Sequence, residues 1–291
     1  MKTIAFSKMS GSGNDFIIIA NLKQDLTVSD YPQLARQLCR RKLSVGADGL
    51  ILLEPSNQAD FKWRFYNSDG SRAEMCGNGA RCAARFAYLN KIAGKQLSFE
   101  TDAGIIAAEI KGEQVKIRMT DPVELKIDQK IQLSKGVITA SFIDTGVPHV
   151  VLEVDDPNLT DVAGLGREIR YHDAFSPAGT NVNFVSSSEN KGFFIRTYER
   201  GVEDETLACG TGCVAAALVL AEKRELSSPV DLITFSGGLL RVYFSRNHDG
   251  FDRIYLEGDA RLVNSGHLHE DAWNYQAPSH DSYFIGSDQI L

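Results

Sequence analysis

The fold turns on residues 73–89, AEMCGNGARCAARFAYL. A cysteine, Cys76, stands before Gly-Asn-Gly, and an Ala-rich helical run follows. Residues 206–220, TLACGTGCVAAALVL, repeat the arrangement, with Cys209 before Gly-Thr-Gly. The run after Cys209 is apolar on every face, and a helix with no polar face must be covered all round. In a chain otherwise rich in strand-like runs, this predicts a helix wrapped by a curved sheet.

The repetition extends well beyond the two cysteines. Cys76 and Cys209 are 133 positions apart, as are Asn14 and Val147 in GNDFII and GVPHVV, and Asp48 and Asn181 in ADGLIL and TNVNFV. FYNSDGSRAEMCGNG aligns with TYERGVEDETLACGTG once one residue is inserted. A constant offset over separated motifs predicts an internal duplication. The halves are expected over 1–120 and 121–261, meeting near TDPVE where Pro122 interrupts. Residues 262–275 are expected to return to the first half, and 276–291 to form a tail with no counterpart.

Strands are expected at runs such as DFIIIANL, GLILLE, FKWRFYN and QVKIRM in the first half. GVITASFID, HVVLEV, NVNFVS, GFFIRTYE, GLLRVYF and RIYLEG are their counterparts in the second. Two further helices are expected. SDYPQLARQLCRRK has Ser29 or Asp30 as cap and Pro32 in the first turn; TDVAGLGREIRYH is its weaker equivalent.

Composition bounds the function. The chain has 291 residues, 43% of them hydrophobic, and a formal charge of −7, which suits two soluble domains and argues against a nucleic-acid groove. No apolar run is long enough to span a bilayer, and the first residues do not form a secretory signal, so a cytoplasmic location is expected. The five cysteines do not read as a disulfide framework.

A duplicated Cys-Gly-x-Gly at a helix start has specific chemistry. The first N–H groups lack partners and the dipole is positive there, so a carboxylate can be held. The same field favours thiolate, which can lower a thiol from about 8.5 to roughly 3.5–7.5. Two such units facing one another would put a sulfur on each side of the carbon next to a bound carboxylate. One thiolate then acts as general base and the opposite thiol as general acid, a two-base racemase or epimerase. Cys39, Cys82 and Cys213 read as small buried hydrophobes. A thiol-redox or zinc protein is the rival from another class, but spacings of six and four between paired cysteines do not match zinc knuckles, and there is no C-x-x-C.

Other polar residues fall near these motifs. Asn67 lies in the loop YNSDG, and Glu199 and Arg200 hold the matching place in YERG. Arg200 suits a second carboxylate and Glu199 an ammonium. Asn14 and Asn181 begin strands on the side where the cysteine loops are expected. His149, at a strand start, reads as structural or as a group that tunes a neighbouring thiol.

YNSDGSRAEMCGNGARC and YERGVEDETLACGTGC together resemble the diaminopimelate epimerases, over nearly the whole chain. The resemblance implies an α+β fold of two pseudo-repeated domains, each a curved, barrel-like, mixed or antiparallel sheet around a central helix. It implies cofactor-free interconversion of LL- and meso-diaminopimelate in lysine and cell-wall precursor synthesis, with no metal, by a homodimer. Cys76 and Cys209 would be the proton-transfer pair. Gly77, Asn78, Gly210 and Thr211 would hold the carboxylate at the reacting centre, assisted by Asn14 and Glu199. Asn67, Asn181 and Arg200 would hold the distal end, and His149 and Glu199 would modulate the cysteines. The chain departs from the family pattern at Val147, where GNPH is common, and in RGVEDET, one residue longer than usual. Both touch distal recognition, so a racemase of another amino acid is the alternative within the class.

Overall fold

A computed structural model describes residues 3–26, 28, 30–188, 192–248 and 250–274; the tail expected over 276–291 and the alternative cap Ser29 lie outside them. The first half runs β1 (Ile4–Gly11), β2 (Asn14–Ala20), α1 (Tyr31–Leu38), β3 (Gly49–Glu54), β4 (Phe61–Asn67), α2 (Gly77–Leu89), β5 (Gln96–Thr101), β6 (Gly104–Lys111) and β7 (Gln114–Arg118). Next come β8 (Val123–Leu133), β9 (Gly136–Asp144), β10 (Pro148–Glu153), α3 (Val162–Arg170), β11 (Asn181–Ser188) and β12 (Gly192–Glu199). The chain continues with β13 (Asp204–Thr206), α4 (Gly210–Arg224), β14 (Val230–Ile233), β15 (Leu239–Asn247), β16 (Gly250–Asp259) and β17 (Arg261–Leu268).

The strand pairings repeat between the halves. β1–β2 is antiparallel, β2–β3 parallel, β3–β4 antiparallel and β4–β5 parallel. β9–β10, β10–β11, β11–β12 and β12–β14 follow the same sequence of senses. β7 pairs with β16 through Leu256 opposite Ile117, which joins both curved sheets into one continuous ladder. The strand after each half then crosses over: β8 pairs with β9, and β17 with β1, from Ile4 opposite Leu268 to Ser10 opposite Arg261.

Burial on both faces explains the continuous apolar runs. In β2, Phe16 and Ile18 face the core around α2, and Ile17 and Ile19 face α1. In β3, Ile51 and Leu53 point inward, and Leu50 and Leu52 pack toward Leu34 and Leu38 of α1. β10 repeats the division, with Val151 inside and Val150 and Leu152 against α3. Asp30 caps α1 by accepting from the Gln33 N–H at 2.9 Å. α4 is buried from Gly212 through Ala221, so its lack of a polar face is matched by sheet on all sides.

β1, β8 and β17 were not among the expected strands, although the return of 262–275 was. β8, VELKIDQKIQL, is mostly exposed and carries positive φ at Glu124 and Asp128 with two register shifts, so its alternation is broken. β17 is likewise largely exposed and lacks a clean apolar face.

Leu218 of α4 is fully buried, and Leu159 in the loop before α3 is 86% exposed. Leu218→Ala should cost about 2–5 kcal/mol in urea unfolding, and Leu159→Ala within about 0.5 kcal/mol. Similar losses at both positions would contradict a core centred on α4.

Candidate active site

Cys76 is the N-cap residue of α2 and Cys209 that of α4, both in extended backbone. Helical bonding begins at Ala80 N–H to Cys76 O, 2.8 Å, and at Cys213 N–H to Cys209 O, 3.0 Å. The N–H groups of the three residues between cap and first bond are therefore free of intrahelical partners in each helix. The Gly79 N–H points at Cys76 Sγ, 3.5 Å away, and Cys209 Sγ lies 3.5 Å from Thr211 Oγ1.

Both helix starts converge on one methyl group. A Cβ at Gly77 would lie 3.8 Å from Leu256 Cδ2, and one at Gly210 3.0 Å from the same atom. The Glu199 carboxylate pushes both thiols toward the protonated form, so it stands near each. The structure thus brings the helix starts at Gly77 and Gly210 to one methyl group, with Glu199 acting on the thiols that cap both helices.

The ready ionisation expected of these cysteines is not what the site provides. Burial raises both thiols and outweighs the helix starts. For Cys76, the N–H groups of Gly79 and Asn78 and the Arg81 guanidinium pull in the other direction; for Cys209, the Thr211 hydroxyl and the Gly212 N–H do so. Burial also raises Glu199, with the Thr206 hydroxyl opposing. The spare thiols Cys82 and Cys213 are pushed up to about 12 by burial, as expected of inert core cysteines. All five cysteines are free.

The polar side chains form two networks. In the first half, Asn78 Nδ2 donates to Asn14 Oδ1 at 2.8 Å, and Asn14 Nδ2 donates to Asp48 Oδ2 at 3.0 Å. Asp48 and Asp15 both take hydrogen bonds from Arg41. Arg81 Nη2 donates to Asn78 Oδ1 at 2.8 Å, which orients the amide from behind. In the second half, Asn181 Oδ1 accepts from the Arg200 backbone N–H at 2.9 Å, and Asn181 Nδ2 donates to Pro148 O. Arg200 Nη1 donates to Ala178 O at 3.0 Å, and no carboxylate pairs with it among the described residues. Asn67 stays within its own turn, donating to Ser71 Oγ, and no bond joins it to the other expected site residues.

His149 is fully buried. Its Nδ1 lies 3.1 Å from Asn183 Nδ2, so that nitrogen accepts the amide proton, and Nε2 has no partner among the described residues. Burial and the nearby Arg200 lower its pKa to about 3. Asn183 also donates to Val150 O and accepts from Thr197 Oγ1 at 2.9 Å. A Cβ on Gly212 would overlap Asn183 Oδ1, so this glycine admits the amide beside the start of α4. Sequence reasoning missed Asn183, Asp48 and Arg81. The signal for Asn183 was present, because it shares a strand face with Asn181 two positions earlier.

The longer segment RGVEDET forms the turn over residues 200–203 and then β13 itself. Glu203 sits at φ 60° and takes hydrogen bonds from Gly201 N–H and from Arg170 of α3. The lengthened turn is thereby anchored to α3. A cavity of about 390 Å³ between β8–β9 and residues 174–179 contains none of the expected site residues. Among the described residues, no cluster of His, Cys, Asp and Glu could hold a metal ion, and no helix is long and apolar enough to cross a membrane.

Two like halves, each with a cysteine-capped helix start beside Leu256, define a class of two-lobed α+β folds built on an internal repeat. Solved structures carry the same fold. A phenazine biosynthesis protein of the PhzF family from Bacillus anthracis superimposes with a TM-score of 0.71 at 18% identity, covering 92% of this chain and all of that one. A probable proline racemase from Agrobacterium radiobacter K84 gives 0.66 at 14%, covering 93% and 94%. The sequence profile described as "Diaminopimelate epimerase" matches residues 6–126 and 141–263. The diaminopimelate epimerase of Hydrogenobaculum is 46% identical over 90% of this chain and 97% of its own length; that of Aquifex aeolicus is 44% identical over 93% and 99%. The chain belongs to the diaminopimelate epimerase family and is an isomerase.

The neutral His149 gives a pH prediction. Its folded pKa of about 3 lies below the ordinary 6.5, so the unfolded chain binds the extra proton between those values. Stability from this group should be complete above about pH 6.5 and fall as pH drops toward about 3. Histidine-resolved NMR should show the His149 ring neutral at pH 5, and His149→Gln should flatten the acid limb of the stability curve. A ring that titrates near 6.5 would contradict the buried geometry.

Proposed function

We propose that the protein interconverts LL- and meso-2,6-diaminopimelate by a two-base transfer at the α-carbon, with Cys76 and Cys209 as base and acid. The observation that carries this reading is the convergence of both cysteine-capped helix starts on Leu256 Cδ2. A substrate carboxylate at this point would meet free N–H groups of Gly77, Asn78, Gly210 and Thr211, and the α-carbon would lie between the sulfurs. The developing charge would be stabilised by donors already oriented, so little reorganisation is needed during the reaction.

Each sulfur has one task. A Cys thiolate takes the α-proton on one face, and the opposite thiol delivers a proton to the other, which inverts the centre and leaves the thiolate on the second sulfur. Glu199, half-buried near both thiols, opposes simultaneous ionisation of the pair, because its charge disfavours thiolate at each. Asn14 and Asn78, locked together, shape one wall. Arg200, with no carboxylate partner among the described residues, and Asn181 beside it are suited to the distal carboxylate. A short apolar amino acid would leave this end unsatisfied, which costs about 1–3 kcal/mol per group, and so the two-ended substrate is preferred over another amino acid. The halves 1–120 and 121–261 are read as two domains flanking the site, with 262–275 returning to the first. His149 is read as a modulator held by Asn183, and Asn67 as a distal contact that would have to leave its turn. Val147 replaces the common asparagine without affecting either sulfur. The pathway in lysine and cell-wall precursor synthesis, the homodimer and the cytoplasmic location belong to this reading through the family resemblance.

Purified, thiol-reduced protein in deuterated water with LL-diaminopimelate and no added cofactor should form the meso isomer with deuterium at one α-carbon. Cys76→Ser and Cys209→Ser should each lower turnover by at least about 100-fold with the fold intact, the scale of a positioned acid or base. Wild-type turnover in either variant would refute the two-base scheme, and a wild-type enzyme that neither exchanges nor epimerises would refute the substrate.

A further inference from the structure

One wall of the site is built in the first half alone. Asn14, Asp48 and Asn78 stand where the second half, 133 positions later, has Val147, Asn181 and Thr211. The three form a chain of hydrogen bonds, Asn78 Nδ2 to Asn14 Oδ1 at 2.8 Å and Asn14 Nδ2 to Asp48 Oδ2 at 3.0 Å. An amide has a donating and an accepting end, and in isolation either could face a neighbour. The two ends of this chain remove that freedom. The Asp48 carboxylate only accepts, so Asn14 turns its nitrogen to it and its oxygen to Asn78. At the far end Asn78 Oδ1 meets Arg81 Nη2 at 2.8 Å, and a guanidinium only donates. Both ends therefore demand the same polarity. The reversed pair would set an oxygen against the carboxylate and an NH2 against the guanidinium, an unpaired contact at each end.

Asp48 is itself held in place. Its Oδ1 takes Arg41 Nη2 at 2.9 Å, and its Oδ2 takes the Asp15 backbone N–H at 3.1 Å. The Asp48 N–H returns a bond to Asp15 Oδ1 at 3.0 Å. Arg41 and Lys8 offset the charge of Asp15 at 2.8 and 3.0 Å. The turn before β3 is thereby clasped to the start of β2, with one carboxylate oxygen fixed against the Asn14 amide. The Asp48 side chain is 39% exposed, Asn14 half-buried and Asn78 buried, so the chain runs from the surface inward. Resting on the reading of Asn14 and Asn78 as part of the carboxylate cradle, we propose that Asp48 is a positioning residue for that cradle. It acts through Asn14, by setting the polarity of the amide pair. Each amide nitrogen then spends one hydrogen within the chain and keeps one for an acceptor, which a substrate carboxylate is and a substrate ammonium is not.

Two measurements on the reduced full-length enzyme test this. The first needs no substrate. By NMR, the side-chain NH2 hydrogens of Asn14 and Asn78 should exchange with solvent at least about 10-fold more slowly than those of the exposed Asn158. Asp48→Ala should bring the Asn14 pair to the rate of Asn158 and shift the Asn78 pair, while the backbone amides of α2 keep their protection. The second is a double-mutant cycle on the epimerisation of LL-diaminopimelate. Asp48→Ala should lower kcat/KM at least about 10-fold. In an Asn14→Ala background the same change should lower it by no more than about 2-fold, because the amide through which Asp48 acts is already gone. An Asp48 that merely braces the turn would instead give the product of the two single losses, and that result overturns the proposal. Wild-type Asn14 and Asn78 amides exchanging as fast as Asn158 overturn it without any variant, so a poorly folding Asp48→Ala does not shield it. Slow amides in a wild-type enzyme that does not epimerise would overturn the epimerase reading and leave the amide polarity standing, so the two failures are told apart.

Discussion

The structure depends on burying two helix N-termini against one another without filling the space between them. A helix start carries unsatisfied N–H groups and partial positive charge, so a protein interior ordinarily caps it with Ser, Asp or Asn. α1 and α3 are capped in this way, by Asp30 and Asp161. α2 and α4 have cysteine at the cap instead, a much weaker acceptor, and glycine directly after it. Their N–H groups stay available at helix starts that are only half-buried at Gly77, Gly210 and Thr211. The continuous ladder through β7 and β16 makes this possible, because it carries Leu256 between the two starts and fixes the halves relative to each other.

The legible part of this design was whatever duplication wrote twice. The 133-residue offset located both caps, the equivalent strands and the helix that had to be wrapped, because burial on both faces leaves runs such as DFIIIA that read plainly. The edges were harder. β8 alternates imperfectly across its two register shifts, and its charged residues face solvent, so VELKIDQKIQL does not announce a strand. β1 and β17 depend on each other across almost the full chain length, a pairing with no local signal.

The candidate site divides similarly. The cysteines and the glycines after them were readable from position. The Asn14–Asn78 bond was not, since it joins residues 64 apart, nor was the role of Asn183, whose amide ties His149, Thr197 and the start of α4 together. The most consequential difference concerned the thiols. The helix field alone favours thiolate, and the folded site adds desolvation, which acts in the opposite direction and prevails at both sulfurs.

That outcome suits a proton-transfer pair better than two easily ionised thiols would. A base and an acid of the same kind, facing one carbon, need one proton between them, and two stable thiolates would leave none to donate. Burial and Glu199 oppose thiolate at both sulfurs, and the N–H groups at the helix starts act against them. A perfectly symmetric site would then leave the proton equally on either sulfur. Symmetry of the scaffold supplies matching caps and dipoles, and residues that differ between the halves, Asn78 against Thr211 and Asn14 against Val147, leave the surroundings of the two sulfurs unlike.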